Sequence, residues 1–421
     1  MKIKRTIAAA LGGLLVLGFT MFAVSCGPQT QSLTLGSWRT DDVAKVTNII
    51  AAFNKAYPNI KVKFDPTNPP DYNATLRLQL DNGNGPDLFY ARSYATGEEL
   101  YKAGYELDLS TLPAIQTNFT PAAASAWTTS DGKVFAMPLG AVSHGIYYNT
   151  EIFAKQGIEV PKTWEDLIAA AGKLKKAGVT PFANGVADQW DINEVVMMNI
   201  LPSTIGGADG RKEYESGKRP FNDPSIVAAF QQIKDLAPYL PKGFEAMTYN
   251  DAQALFALGK AAMYFDGSWT VPQFMDQAKA FKWSIFMTPP LKGKTAVVEF
   301  HPDSAIAINP KSKNLEAAKT FLTWLSGPDG AKAIGDNLVG VFPMSKNAVK
   351  LENEYANTFL SFNEGTGQDA RFVWPKLMVG KPSGYDLLQN NTIAVLKGSE
   401  NPKQAADAFA AGLAQWYKPG M

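Results

Sequence analysis

A single cysteine, Cys26, sits at the end of an N-terminal apolar segment, and this constrains everything after it. Lys2, Lys4 and Arg5 give a basic start, and the stretch from Ile7 to Val24 is apolar. The small residues Ala23-Val24-Ser25 then lead into Cys26-Gly27. A basic head, an apolar middle and small residues before a cut site describe a secretory signal peptide, predicted over 1–25. The competing reading is an uncleaved anchor, since a run approaching ~20 apolar residues can span a bilayer. The polar Pro28-Gln29-Thr30-Gln31 after the cysteine favours cleavage. An exported domain with its one thiol at the terminus has no disulfide. Its stability must come from packing, and a chain of about 400 residues is long enough to bury a core and to divide into two lobes.

Charge narrows the function classes. The chain counts 40 basic and 39 acidic residues, and loss of residues 1–25 removes three basic residues and no acids. The remaining charge is near neutral, which excludes strong attraction to nucleic acid or to an anionic membrane. Only two histidines occur, His144 and His301. With the cysteine spent, a zinc site of three or four ligands would need a carboxylate-heavy set, so neither metal nor cofactor is expected. Three Asn-x-Thr triplets, at Asn73, Asn118 and Asn390, are as frequent as chance allows.

The first third of the chain reads as alternating strands and helices. Leu33 to Leu35 begins a strand, and Thr40, Asp41 and Asp42 stand where a helix is capped. Val43, Val46, Ile49, Ile50, Phe53 and Tyr57 recur at helical spacing, and Pro58-Asn59 stops that helix. Ile60 to Phe64, a helix near Tyr72 to Leu80, and the strand at Asp87 to Tyr90 complete β-α-β-α-β. That pattern predicts a parallel sheet flanked by helices. Ligands of such sheets bind beyond the carboxyl ends of the strands, where Trp38-Arg39 and Arg92-Ser93 lie. Farther on, Val134–Met137 and Ile146–Tyr148 read as two strands separated by Pro138-Leu139-Gly140. Val297–Phe300 and Ala305–Ile308 likewise flank His301-Pro302-Asp303. Both places are candidate crossings between lobes. Thr163-Trp164-Glu165-Asp166 reads as a capping box with Asp in the usual Glu position. The part from Leu351 to Trp416 reads as mostly helical.

Several ordered segments carry a family resemblance. They are Phe53-Asn54-Lys55-Ala56-Tyr57-Pro58, Gly85-Pro86-Asp87-Leu88-Phe89, Ile146-Tyr147-Tyr148-Asn149, Pro161-Lys162-Thr163-Trp164-Glu165-Asp166-Leu167 and Ala262 to Trp269. Ala317-Ala318-Lys319 before Phe321-Leu322 extends the series. Together they resemble the extracellular solute-binding proteins of ABC importers, in the carbohydrate group that includes maltose-binding protein. The Cys26 junction resembles the lipobox of bacterial lipoproteins, with Ala23 where that motif usually has leucine. The resemblance implies a type II two-lobe α/β fold, each lobe a mixed, mostly parallel sheet flanked by helices, joined by a multi-strand hinge. Residues 26–31 would be a lipid-anchored linker. One lobe would take 32–141 with 301–345, and the other 142–300 with 346–421. It further implies a monomer tethered outside the cytoplasm through lipid on Cys26, a sugar in the interlobe cleft and a membrane permease as partner. It implies no catalysis.

The resemblance also assigns ligand contacts. Trp190, Trp269 and Tyr385 would supply flat apolar faces for sugar C–H groups, and Trp38, Arg39, Arg92 and Ser93 contacts from strand-end loops. Asp303 would accept sugar hydroxyls at the second crossing, with His144 beside the first and Arg371 from the C-terminal part. For each there is a plainer alternative: core packing for the aromatics, surface ion pairs for the arginines, a turn cap for Asp303, a structural role for His144. Trp127, Trp164, Trp283, Trp324, Trp374 and Trp416 read as packing residues. Two rival functions remain. An acidic sugar or other anion would suit Arg39, Arg92 and Arg371 if all three face the cleft. A glycoside hydrolase needs two carboxylates at a set separation, which 39 acids always provide. No Gly-x-Ser-x-Gly elbow occurs, and Gly293-Lys294-Thr295 lacks a P-loop's leading glycine because Thr288 stands there.

Overall fold

A computed structural model describes residues 30–419. The signal segment and Cys26 lie outside the described residues. Three parallel strands open the fold: β1 (Gln31–Ser37), β2 (Ile60–Pro66) and β3 (Leu88–Arg92). β1 pairs with both of the others, so Gln31, expected in the linker, already belongs to the sheet. The helices between them, Val43–Ala56 and Pro69–Asp81, follow the predicted periodicity. Val46, Ile49, Ile50 and Phe53 are buried, whereas Val43 and Tyr57, at the two ends of that stripe, remain exposed. Thr40–Asp42 forms a short 3-10 turn with no side-chain cap. Asp42 instead gives its carboxylate to Arg39 Nε at 2.6 Å.

The two predicted crossings are single long strands. β4 runs unbroken from Met137 to Asn149. Three further strands, β5 (Thr180–Phe182), β6 (Ala261–Gly267) and β7 (Trp283–Phe286), come before β8 (Val297–Ile308). β4 and β8 pair antiparallel from Met137 opposite Ile306 to Ser143 opposite Phe300, with register shifts at Pro138/Gly140 and Gly140/Ala141. Pro138 interrupts the ladder, because it has no N–H, and a bulge absorbs the irregularity. The short β9 (Phe342–Pro343) adds a third segment against Gly140 and Ala141. β10 (Gly367–Asp369) pairs with the start of β8.

The sheet order is β2-β1-β3-β8-β4-β6-β5. β1 with β2 and β3, β5 with β6, and β10 with β8 are parallel; every pairing of β4, and that of β3 with β8, is antiparallel. The sheet is mixed, as expected, and its antiparallel pairings centre on the crossing strands. A strand that passes from one core to the next and meets a returning strand must pair antiparallel. The capping box at Thr163 and Asp166 is present and opens the helix Trp164–Lys176. The C-terminal part is less helical than expected: Ala370–Ser383 is an irregular segment between β10 and the helix Gly384–Leu396.

Apolar side chains gather on both sides of the crossing strands. One core holds Leu33, Phe53, Phe89, Trp127 and Phe321. A second holds Trp164, Phe182, Tyr214, Phe230 and Phe409. A smaller third, built on Tyr147, Phe256 and Phe274, packs beside the second. Trp269 and Tyr94 touch both large cores. Gly340 meets the turn that carries Trp269: its φ is +87°, and any Cβ there would overlap the Ser268 carbonyl oxygen. Ser268 Oγ donates to the Gly340 carbonyl at 2.5 Å and accepts from the Ser143 N–H at 3.1 Å.

Glu106 is buried with neither carboxylate oxygen hydrogen-bonded. Burial pushes its carboxyl well above the usual range. A carboxyl raised in the folded state favours folding fully below its unfolded value and loses that contribution as pH rises. Glu106→Gln is therefore expected to be more stable than the parent chain at pH 7–8 and equal to it near pH 4. Urea denaturation across that range checks it, and a variant less stable at pH 8 would contradict it.

Candidate ligand-binding site

Where the carboxyl ends of β1 and β3 meet the crossing strands lies a cavity of about 340 Å³. One wall comes from the first core's side. Trp38 and Arg39 follow β1 directly, Arg92 ends β3, and Ser93 is next in the chain. Asp303 sits beside them because β8 pairs Ser304 with Arg92. Asn73, on the first turns of the Pro69–Asp81 helix, completes a polar surface. The Arg92 guanidinium lies 3.8 Å from the Trp38 ring centroid and its Nε donates to Asn73 Oδ1 at 3.3 Å. Tyr72 and Tyr90 meet the same indole edge-on at 5.4 Å. Trp38 is thus occupied by its own neighbours and presents Arg92 to the cavity.

The opposite wall is aromatic. Trp269 follows β6 and folds back over Gly267, where any Cβ would overlap the indole. Its Nε1–H donates to Tyr249 Oη at 2.8 Å, and Tyr249 Oη donates to Asp266 Oδ2 at 3.0 Å. Trp190 leans on the Tyr249 ring with centroids 4.7 Å apart. Trp190, Tyr249 and Trp269 form a surface whose planes are fixed by hydrogen bonding and contact, and all three line the cavity. Behind it, burial raises Asp266 to about 6, against the hydrogen bonds from Thr270, Gly267 and Tyr249.

Between the walls, charges are largely paired. Arg371 Nη1 donates to Glu194 Oε2 at 2.5 Å, and Tyr385 Oη donates to Glu194 Oε1 at 2.7 Å. The guanidinium also lies 4.3 Å from the Trp374 ring. Arg39 is held by Asp42, as described. Burial pushes Asp303 up, but His301, Arg371 and Arg92 together outweigh it and hold the carboxyl at about 2. Asp303 is therefore an ionised acceptor at neutral pH.

Nine of the ten predicted residues line this cavity: Trp38, Arg39, Arg92, Ser93, Trp190, Trp269, Asp303, Arg371 and Tyr385. His144 does not. It is fully buried on β4, where its ring meets the edge of Trp269 with centroids 5.0 Å apart. Trp374, read as a packing residue, is buried yet lines the cavity. Glu194, Tyr249, Asn73 and Asp386 also line it and were not predicted. A signal existed for Glu194, which lies four residues beyond Trp190 and so on the same face of a helix. Trp374 lies three residues beyond Arg371, and its N–H closes a turn on the Arg371 carbonyl at 3.0 Å. Nothing in the sequence marks Asn73.

Removing one member of a buried ion pair strands the other charge. Arg371 is 2% exposed and Glu194 16% exposed at the side chain. Glu194→Ala is expected to cost roughly 3–5 kcal/mol of stability. Guanidinium denaturation measures it, and a loss below about 1 kcal/mol, the surface-pair value, would show that the pair is not buried in solution.

Similarity to known proteins agrees with this architecture. Residues 36–332 match the family model described as bacterial extracellular solute-binding protein. A multiple sugar-binding protein of Streptococcus mutans is 28% identical over 291 residues, 67% of this chain and 68% of that protein. An uncharacterized ABC transporter extracellular-binding protein of Pyrococcus horikoshii is 28% identical over 395 residues, 90% of this chain and 86% of its own. Among solved structures, RafE in complex with raffinose superposes with a TM-score of 0.78 at 23% identity, covering 92% of this chain and 100% of that one. The GacH receptor of Streptomyces glaucescens, solved unliganded and with acarbose, gives 0.75 at 20% identity, covering 92% and 100%. At those identities the structures speak for the fold, a two-lobe α/β arrangement of type II, and the family match for kinship: this chain belongs to the bacterial extracellular solute-binding proteins.

Proposed function

We propose that this protein captures a neutral mono- or oligosaccharide in the cavity between Trp269 and Arg92 and delivers it to the permease of an ABC importer. The observation that carries the reading is the opposition of two unlike walls. Sugar C–H faces need flat apolar partners, which Trp190, Tyr249 and Trp269 offer. Sugar hydroxyls need groups with open hydrogen-bonding capacity, which Arg92, Asn73, Ser93 and Asp303 offer. The cavity volume of about 340 Å³ lies at the lower end of the usual ~300–1,000 Å³ for ligand sites. That supports one or two sugar rings over a long chain.

The lobes are 32–141 with 301–345, and 142–300 with 346–421. A ligand favours the closed form only through contacts to both, and each lobe lines the cavity. The protein acts as a monomer outside the cytoplasm, anchored by lipid on Cys26, with residues 1–25 removed. Among the described residues no helix is long and apolar enough to cross a membrane.

The charge pattern separates the rivals. Arg39 and Arg371 already hold Asp42 and Glu194, which leaves Arg92 as the cavity arginine without a carboxylate partner. An anion held by all three arginines would have to displace those pairs, so a neutral sugar is favoured over a uronate. A hydrolase would need a carboxylic acid kept protonated near neutral pH at the bond. The strongly raised carboxyls Asp191 and Asp266 are buried behind the lining, and the Asp303 carboxyl is depressed. The chain's kin are binding proteins, and this reading assigns no catalysis.

A thermal-shift panel of neutral sugars and uronates tests the reading. A sugar at 100 times its Kd adds about 2.7 kcal/mol and raises Tm. In the double variant Trp190→Ala, Trp269→Ala, the best sugar is expected to bind about 100-fold more weakly, or ~2.7 kcal/mol. Uronates alone raising Tm, or undiminished affinity in the double variant, would overturn it. Labelled palmitate is expected to mark the parent chain in cells and not Cys26→Ser; equal labelling would refute the anchor.

A further inference from the structure

Behind the cavity lies a cluster of titratable groups outside its lining. His144 on β4, and Glu299 and His301 on β8, are fully buried. The two imidazoles are nearly parallel, 16° apart, with centroids at 5.7 Å. The Glu299 carboxylate joins them: Oε1 lies 2.5 Å from His301 Nδ1, and Oε2 meets His144 Nδ1. The outer nitrogens point to the cavity's own charges. His144 Nε2 is 3.4 Å from Arg371 Nη2, and His301 Nε2 is 3.5 Å from Asp303 Oδ1.

The three potential ligand atoms lie within 4.8 Å of one another, a spacing that a metal could use. The hydrogen-bond sense opposes it. A guanidinium has donors only, so His144 Nε2 must accept from Arg371, and the ring's proton must sit on Nδ1, facing Glu299. Coordination through Nδ1 would move that proton to Nε2, against the guanidinium, and place a cation beside Arg371.

We propose that Glu299 with its two imidazoles is a positioning relay, which holds Arg371 at one wall of the cavity in the arrangement that receives ligand. The relay spans both crossing strands, so it ties Arg371 to strand alignment. It is faced by Arg371 and, through that residue, Glu194 from the second core's side, and by Asp303 on β8; the indole edges of Trp269 and Trp374 close it. Burial first, and then Arg371, holds His144 well below its ordinary value and His301 down at about 4. Both rings are thus neutral across the physiological range. Protonating His144 would remove the lone pair that Arg371 donates to and set two cations together.

The effect on affinity rests on the sugar reading, whereas the tautomers do not. With two histidines in the whole chain, imidazole ¹⁵N NMR of the intact protein contains only two side-chain patterns. Both rings are expected to stay neutral from pH 8 to 5.5, with His144 as the Nδ1–H tautomer. In Glu299→Gln the side chain keeps one acceptor oxygen in place of two, so the pattern of at least one ring changes, and the neutral mono- or disaccharide that most raises Tm in the panel, used as the probe, binds at least tenfold more weakly. Titration of either ring near its ordinary value, an Nε2–H tautomer at His144, or a Zn²⁺-induced shift of both rings would overturn the relay. So would a Glu299→Gln protein with parental spectrum and affinity. If Glu299→Gln does not fold, the parent spectrum alone decides. If no sugar of the panel binds the parent chain, the sugar reading fails and the tautomers still decide the relay.

Discussion

The antiparallel pairing of β4 with β8 is the constraint on which the rest of the molecule depends. Each strand begins beside one apolar core and ends beside another, and their ladder from Met137–Ile306 to Ser143–Phe300 is the main seam between the two. Asp303 reaches the cavity because β8 is held beside β3 at Arg92. Trp269 reaches it from the other side because β6 pairs with β4 as far as His144 opposite Gly267. A slip of one residue in either ladder would turn these side chains to the opposite face of the sheet. The contact of Gly340 with Ser268 adds a third tie at the same seam.

The cavity's lining is held in place by the protein's own contacts. Glu194 already uses both oxygens, on Arg371 and on Tyr385, and Tyr249 fixes the Trp269 plane. Groups held in this way lose little freedom on binding, which leaves more of the contact energy to appear as affinity. The division of labour is uneven. Trp190, Tyr249 and Trp269 make one continuous aromatic face, Trp374 and Tyr385 also line the cavity, and Trp38 is flanked by Tyr72, Tyr90 and Arg92. An aromatic wall thus faces a mainly polar one.

Local rules made much of this legible. Helical spacing at Val46 to Phe53, the β-α-β order of the first strands and the Thr163 capping box depend on neighbours in sequence, and each appears as expected. Strand-end placement correctly located Trp38, Arg39, Arg92 and Ser93 at the cavity. The crossing strands were misread because Pro138 and Pro302 interrupt the apolar alternation. The backbone continues through both, since a bulge and partners on either side keep the ladder together. Glu194, Tyr249, Trp374 and Asn73 stayed hidden for a different reason. Their approach to the cavity is a product of tertiary packing, and Trp374 shows that a side chain can be buried and still line a cavity. His144 lies one layer too deep because the β4 ladder carries it behind Trp269 rather than in front.

A crystal structure grown with the neutral sugar that gives the largest Tm increase tests the central claim most directly. The account predicts a pyranose ring against Trp269 and Trp190, its hydroxyls bonded to Arg92 and Asp303, with the Arg371–Glu194 pair intact. A sugar lying on one wall only, or bound elsewhere while the cavity stays unchanged, would contradict it.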